Sequence, residues 1–328
     1  MTSTTSPQSD APPTPSRARE HRAPRQLRKQ RSGTFAGPLM ALPAMSGIVL
    51  FIAVPFVAAI GLSFFNVQIG SPRPPTFLGF TQYVRLFTDP VEAPQFFRAL
   101  GNNLFFAAVV IPVQTGLALV FAVLLNQQLK GIKFFRTFFF MPVVFPMALV
   151  AVIWRVILDR SGDGLLNSAV ETVTGGTVGA HNWLGSGNTA MLSVIVLSVW
   201  QGVGFQMVII LAALQEIPEE RYEAARLDRA NVFQQFRYIT VPGVRNTLIF
   251  VVLLTTIFAF RVYDQVYILI TTAGGNENAL RTVLYQATNA ILAENSVGQA
   301  AAISVVLFLI IVVITLVQRA VLRQRSES

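Results

Sequence analysis

Apolar positions along the 328-residue chain gather into six long runs, at about 38–65, 104–126, 137–157, 190–214, 246–270 and 298–318. Each is continuous rather than alternating. About 20 helical residues cross a bilayer core of roughly 30 Å, whereas a membrane β-barrel would show ten-residue segments of alternating character. The pattern predicts an all-α, polytopic membrane protein with six transmembrane helices. Prolines at 43 and 55 in the first run, and at 142 and 146 in the third, are compatible with helices whose neighbours satisfy the freed backbone groups.

Composition supports this class and removes others. Hydrophobic residues make up 53% and charged residues 12%, about half the charged share of a soluble domain. There is no Cys, and the two histidines are His21 and His181, so disulfides and thiolate or imidazole metal sites are not expected. The GxxxxGK[ST] string is absent, and Lys occurs only at 29, 130 and 133; this chain is not expected to hydrolyse ATP through a phosphate loop. With neither a metal-ligand cluster nor a carboxylate pair within a run, a membrane-embedded enzyme is not expected either. No resident cofactor is implied.

The formal charge of +9 is unevenly spread. Seven basic residues crowd positions 17–31, so residues 1–37 read as a disordered basic tail that anchors topology and is drawn to anionic lipid, not as a nucleic-acid arm. No apolar segment with a small-residue cleavage site precedes it, which argues against a cleaved signal peptide. With the N-terminus inside, the inner segments carry eighteen Lys and Arg against five outside. The positive-inside rule then places both termini in the cytoplasm. It gives a membrane domain over 38–320, a cytoplasmic loop at 215–245 and a short cytoplasmic tail at 321–328. The outer segments mix Pro, Gly and aromatics and read as ordered, and 280–292 has the spacing of a short helix at the membrane surface.

The inner loop 215–245 stands apart because it is polar yet aromatic. Pro218 suits a first helical turn, and Glu219, Glu220 and Glu223 suit a helix N-terminus. Ala224 and Ala225 leave a thin face for close approach. Asn231 is placed to cap a second short helix, "VFQQFRYI", ending before Pro242. The result is a helix–turn–helix hairpin with Tyr222, Phe233, Phe236 and Tyr238 available for burial. Those rings would pack either on the protein's own helix ends and the lipid interface, or in a cytoplasmic partner.

"EAARLDRANVFQQFRYITVP" resembles the signature loop of binding-protein-dependent ABC transporter permeases. Glu223, Ala224, Ala225, Asp228, Ile239 and Pro242 match its pattern, with Val241 in place of Leu. "FLGFTQYVRLF", "LAALQEIPEERYEAA" and "VYDQVYILITTAGG" are similar to the carbohydrate-uptake branch (maltose, glycerol-phosphate and lactose types). The resemblance spans about 38–320. It implies a type I ABC importer permease fold in the plasma or inner membrane, and a path for a sugar or polyol. It also implies a second permease chain, giving a heterodimer, two cytoplasmic ATPase subunits and an extracytoplasmic solute-binding protein. ATP would be used by the partner, with the loop as a coupling lever: Tyr222, Glu223, Ala224, Ala225, Asp228, Arg229, Phe233, Phe236 and Pro242. Permeases for polyamines, phosphate esters or peptides share the loop and remain alternatives. An ion-coupled secondary transporter would normally show inverted repeats or broken midplane helices, and neither is evident.

Arg229 stands where the family most often has Gly. Either the turn is made another way, around Asn231, or Arg229 faces an acidic patch on a matched ATPase. Within the runs, Arg261 and Asp264 sit at i and i+3, about 22 Å along a helix from residue 246. They read either as a mutually satisfied helical ion pair or as a polar wall of the path. Gln201 and Gln206, with Trp200 and Phe205, resemble a sugar-handling set of amides and rings; Gln114 is a weaker candidate.

Overall fold

The computed structural model describes residues 36–127, 130–161 and 164–327. The basic tail expected at 1–37 lies almost wholly outside them. The chain divides into two compact units, residues 1–54 and 55–328. The first contains α1 (Ala36–Ile48) and a π-helical turn, Val49–Ala53.

In the second unit, α2 (Val54–Leu62) leads to the short antiparallel strands β1 (Phe65–Asn66) and β2 (Thr76–Phe77), and then to α3 (Thr81–Thr88). The bundle follows as α4 (Glu92–Leu125), α5 (Ile132–Val144), α6 (Met147–Ile157), α7 (Leu165–Thr174) and α8 (Gly187–Gln215). A polar hairpin holds α9 (Glu219–Leu227), α10 (Val232–Gln235) and α11 (Val241–Gly243). The last elements are α12 (Arg245–Phe260), α13 (Asp264–Ala273), α14 (Glu277–Leu280), α15 (Val283–Leu292) and α16 (Val297–Glu327). Five helical runs are long and apolar enough to cross a membrane: Met40–Leu62, Glu92–Leu125, Thr189–Gln215, Arg245–Ala273 and Val297–Leu322. A sixth span requires α5 and α6 to count as one.

Two of the six expected spans are not straight. The third is bent by 98° between Val144 and Met147. Phe145 is extended, as a residue preceding proline must nearly be, and Pro146 opens α6. The fifth stops at Phe260 and restarts at Asp264. Broken helices, not evident in the sequence, are therefore present. The segment expected at the membrane surface forms a helix only from Val283, and that helix is packed inside the bundle, with Val283, Tyr285, Ala287 and Ala290 buried.

Helices α4 and α8 pack along each other at the centre. Gly204 lets α5 cross α8 at backbone distance: a Cβ there would lie 2.1 Å from the Phe139 carbonyl oxygen. The buried apolar residues form two cores stacked along these helices. One contains Phe106, Val110, Val194, Leu197, Phe260 and Val283; the other contains Ala118, Ala122, Met207, Ile210, Val244 and Val251. Polar residues fall between the cores on each of three helices. Gln114 lies between Val110 and Ala118 on α4, Gln201 between Val199 and Val203 on α8, and Thr255 and Thr256 between Val251 and Ala259 on α12. A polar belt thus crosses the bundle where three long helices change core.

Candidate functional site

Two grooves open on this belt. The first, about 310 Å³, is lined by Gln114, Ser198, Gln201, Thr255, Arg261, Tyr263, Asp264 and Gln265 among others. The second, about 260 Å³, shares Gln114, Gln201, Gly202, Thr255 and Phe258 with it and adds Phe205 and Gln206. All five sequence-predicted path residues, Gln201, Phe205, Gln206, Arg261 and Asp264, line one groove or the other. Trp200 does not. It stacks edge-on against Trp154, with ring centroids 5.9 Å apart, and faces a separate apolar groove of about 430 Å³ beside Phe121 and Phe139.

The belt is partly paired and partly open. Buried Gln206 donates from Nε2 to Thr255 Oγ1 at 2.6 Å, and Thr255 in turn donates to the Val251 carbonyl. Gln265 donates to Ser198 Oγ at 3.2 Å. Among the described residues the Gln206 Oε1 atom has no hydrogen-bond partner. Leaving such a buried acceptor unmade is unfavourable by about 1–3 kcal/mol, and a hydroxyl could reach it only if the neighbouring belt side chains moved aside. Ser198, Thr255 and Gln265 were not singled out in the sequence. Gln265 had a signal, being next to Asp264. The two hydroxyls looked like ordinary helix residues.

Arg261 and Asp264 form no ion pair among the described residues, which corrects the reading of a satisfied helical pair. The helix is broken between them, so the i, i+3 register that would bring them together does not exist. Arg261 is the C-cap of α12 and Asp264 begins α13, and both side chains are exposed at the groove. The break is held from elsewhere in the chain. Fully buried Asn103 on α4 donates from Nδ2 to the Ala259 carbonyl at 3.3 Å and accepts from the Val283 N–H at 2.8 Å. Thr282 donates to the Val262 carbonyl at 3.0 Å. These side chains replace the helical partners that the break removes, which an apolar surrounding requires. Asn103→Leu should therefore lower stability by about 2–3 kcal/mol, since buried backbone groups lose their partner on both sides of the amide. Thermal unfolding in detergent would read this as a lowered Tm; a variant melting with wild type would remove Asn103 from this role.

The hairpin is a second candidate site. Glu219 and Glu220 occupy the first turn of α9, with Pro218 as its N-cap rather than inside the turn. Asn231 caps α10 through a full capping box: Gln234 N–H donates to Asn231 Oδ1 and Asn231 N–H to Gln234 Oε1, both at 2.8 Å. Beyond α10 the chain stays helical, through a π-helical turn at Phe236–Thr240 and on to Gly243. The second helix thus does not end before Pro242, which sits in the first turn of α11, where its missing N–H is tolerated. The Tyr222 hydroxyl and Thr240 Oγ1, 3.0 Å apart, tie the two arms.

The connecting turn is a Schellman motif. Ala230 N–H donates to the Ala225 carbonyl at 2.9 Å and Arg229 N–H to the Arg226 carbonyl at 3.1 Å. Arg229 itself takes the left-handed conformation, with φ of 58°. The turn is therefore not remade around Asn231, and the side chain bears a strain of about 1–2 kcal/mol that Gly would avoid. Outward from this frame point Leu227, Val232, Phe233 and Tyr238, which are 86%, 83%, 73% and 74% exposed. Phe236 is half-buried, Tyr222 and Ala225 likewise, while Glu223, Ala224 and Asp228 are exposed.

Comparison with known proteins places residues 114–326 in the family described as "Binding-protein-dependent transport system inner membrane component". The chain is 37% identical over 295 residues to a probable ABC transporter permease protein, YurN, of Bacillus subtilis, covering 88% of this chain and 97% of that one. It is 32% identical to the trehalose/maltose transport system permease protein MalF of Thermococcus litoralis, with 89% and 95% covered. A crystal structure of a bacterial ABC transporter that imports the acidic polysaccharide alginate superposes with a TM-score of 0.74, at 21% identity over 88% of this chain and 96% of that one. A second alginate transporter structure, in complex with a pentasaccharide-bound periplasmic protein, gives 0.76 at 18% identity.

Proposed function

This chain belongs to the binding-protein-dependent transport system inner membrane components, permease subunits of ABC importers, and from that premise we propose that it forms half of a carbohydrate path. It is a multi-pass, non-catalytic transport subunit. The substrate is a sugar, oligosaccharide or polyol, and the path runs through the polar belt. The observation that carries this reading is the pair of adjoining grooves in which the amides Gln114, Gln201, Gln206 and Gln265 and the hydroxyls Ser198 and Thr255 are set among aromatic and aliphatic walls. Hydroxyl-rich, uncharged ligands match amide donors and acceptors. The relatives named for trehalose and maltose, for arabinooligosaccharides and for lactose support the same class.

Gln201, Gln206 and Phe205 would contact the sugar in turn, and Arg261 and Asp264 would form the wall at the helix break. A second, similar permease chain would close the open sides of the grooves in a heterodimer. An extracytoplasmic solute-binding protein would deliver substrate to the outer loops. One of two ATPase subunits would dock on this hairpin and the other on the partner permease, which would put both termini on the cytoplasmic side of the cell membrane. Tyr222, Glu223, Ala224, Ala225, Asp228, Phe233, Phe236 and Pro242 form the docking element, and its caps and cross-bridge make it stiff enough to transmit closure of the ATPase pair.

Gln201→Ala should slow uptake about two- to tenfold or alter the range of sugars accepted, the expected effect of one lost neutral hydrogen bond. Uptake rates measured across a panel of mono- and oligosaccharides test this, and unchanged kinetics for every sugar would take Gln201 out of the path.

A further inference from the structure

Left-handed backbone at a helix C-terminus is the position where glycine is most favoured, because any Cβ there is crowded. Two non-glycine residues with positive φ are described, Arg229 and Asn295. Asn tolerates the conformation through its short polar side chain, so Asn295 is ordinary. Arg has no such local compensation, and Arg229 is the anomaly.

Within the chain the strain is offset only in part, by the α9 C-terminus, whose attraction for a nearby cation is the smaller of the two effects. The Arg229 side chain is exposed, and among the described residues its guanidinium makes no hydrogen bond, ion pair or ring contact; only its backbone N–H is engaged. Asp228 is adjacent and exposed but forms no ion pair with it. Other arginines of the chain do find partners. Arg136 donates from Nε and Nη2 to the Leu125 carbonyl at the end of α4, and Arg281 pairs with Glu277.

The location is equally telling. Arg229 lies at the tip of a backbone fixed on one side by the Schellman bonds and on the other by the Asn231 capping box. Exposed Leu227 and Val232 flank it. When that apolar rim is covered, a cation at its centre loses water and must be paired. A guanidinium in such a place is suited to a carboxylate, which it binds through two parallel N–H donors.

We infer that Arg229 is a specificity-determining residue of the hairpin, its guanidinium pairing with a carboxylate on the ATPase subunit that docks there. The pairing accounts for Arg in a turn that glycine would make more easily, and it restricts the permease to an ATPase with an acidic group at the matching point. The inference rests on the hairpin being the ATPase-docking element.

The test measures two quantities on the purified permease pair: its melting temperature alone, and its affinity for the purified ATPase of the same transporter across a salt series. Arg229→Gly should raise the first, by relieving the turn, and weaken the second about tenfold, with a flatter salt dependence. Arg229→Lys should fall between wild type and Gly in affinity, since it keeps the charge but not the fork. Arg229→Glu should bind worst and be rescued when one acidic residue of the ATPase cleft is reversed to Lys. The inference is overturned if wild type binds the ATPase and Arg229→Gly binds it as tightly, or if no reversal rescues Arg229→Glu. If wild-type permease does not bind the ATPase at all, the docking role of the hairpin falls, and the inference with it.

Discussion

Phe233→Asp should abolish productive contact with the ATPase and leave the permease in the membrane. Phe233 is 73% exposed on α10, with Val232 beside it and Leu227 and Tyr238 nearby in the chain, all more exposed still. Scattered exposed apolar residues mean little, but four large ones on a short polar hairpin outside the spans are what a docking partner would be expected to cover. Helix α10 is held by its capping box and the hairpin arms by the Tyr222–Thr240 contact, so the ring is presented by a fixed frame. Aromatic anchors in such patches contribute about 2 kcal/mol or more, which is roughly a 30-fold loss of affinity on removal. A buried carboxylate in its place adds a desolvation cost. Substrate-stimulated ATP hydrolysis in proteoliposomes should therefore fall by at least that factor. Because the ring supports nothing inside this chain, yield and melting temperature should hold. ATP hydrolysis at the wild-type rate would show that the patch is not the contact.

Gly204→Val should have the opposite profile, with the fold lost before function can be measured. The new Cβ would sit 2.1 Å from the Phe139 carbonyl oxygen and 3.0 Å from the Phe140 Cα. Those are backbone atoms of α5, so no rotamer change relieves the clash; the helices must separate. Overpacking of this kind is unfavourable by about 1–3 kcal/mol where side chains can adjust, and by more where they cannot. Separation would also open the stacked Phe121–Phe139 contact and part of the core that contains Val203 and Met207. The expected result is little monodisperse protein in detergent and a Tm well below wild type. A Gly204→Val protein with wild-type Tm would mean that α5 is free to move off α8.

These cases show what the chain reveals locally and what it hides. The six apolar runs were legible because burial in hydrocarbon leaves a composition signal over about 20 residues. The capping box was legible because Asn231 and Gln234 are three residues apart. The break at 261–263 was not, since "FRVYDQ" contains neither Pro nor Gly. The side chains that hold it, Asn103 and Thr282, lie outside that stretch in either direction, so no local pattern marks it. Pro146 did signal a possible boundary, but a 98° bend depends on what α6 then packs against, and that is α13. The same holds for the belt. Gln201 and Gln206 could be picked out singly, but their assembly with Gln114 and Thr255 needs the register of three helices, and Trp200 fell on the wrong side of α8. Arg229 was visible as a departure, while its left-handed φ was not, because nothing local favours it.

The broken helices would by themselves also suit an ion-coupled carrier, whose binding sites often sit at such breaks. Family membership decides for the ATP-driven importer, and the energy source can be measured. The direct test is uptake of a labelled neutral oligosaccharide into proteoliposomes holding this chain, its partner permease, the ATPase subunits and the binding protein. Uptake that requires ATP on the hairpin side, and that stops when the ATPase subunits are omitted, is the predicted result. Uptake by the permease chains alone, driven by a proton or sodium gradient without ATP, would contradict it.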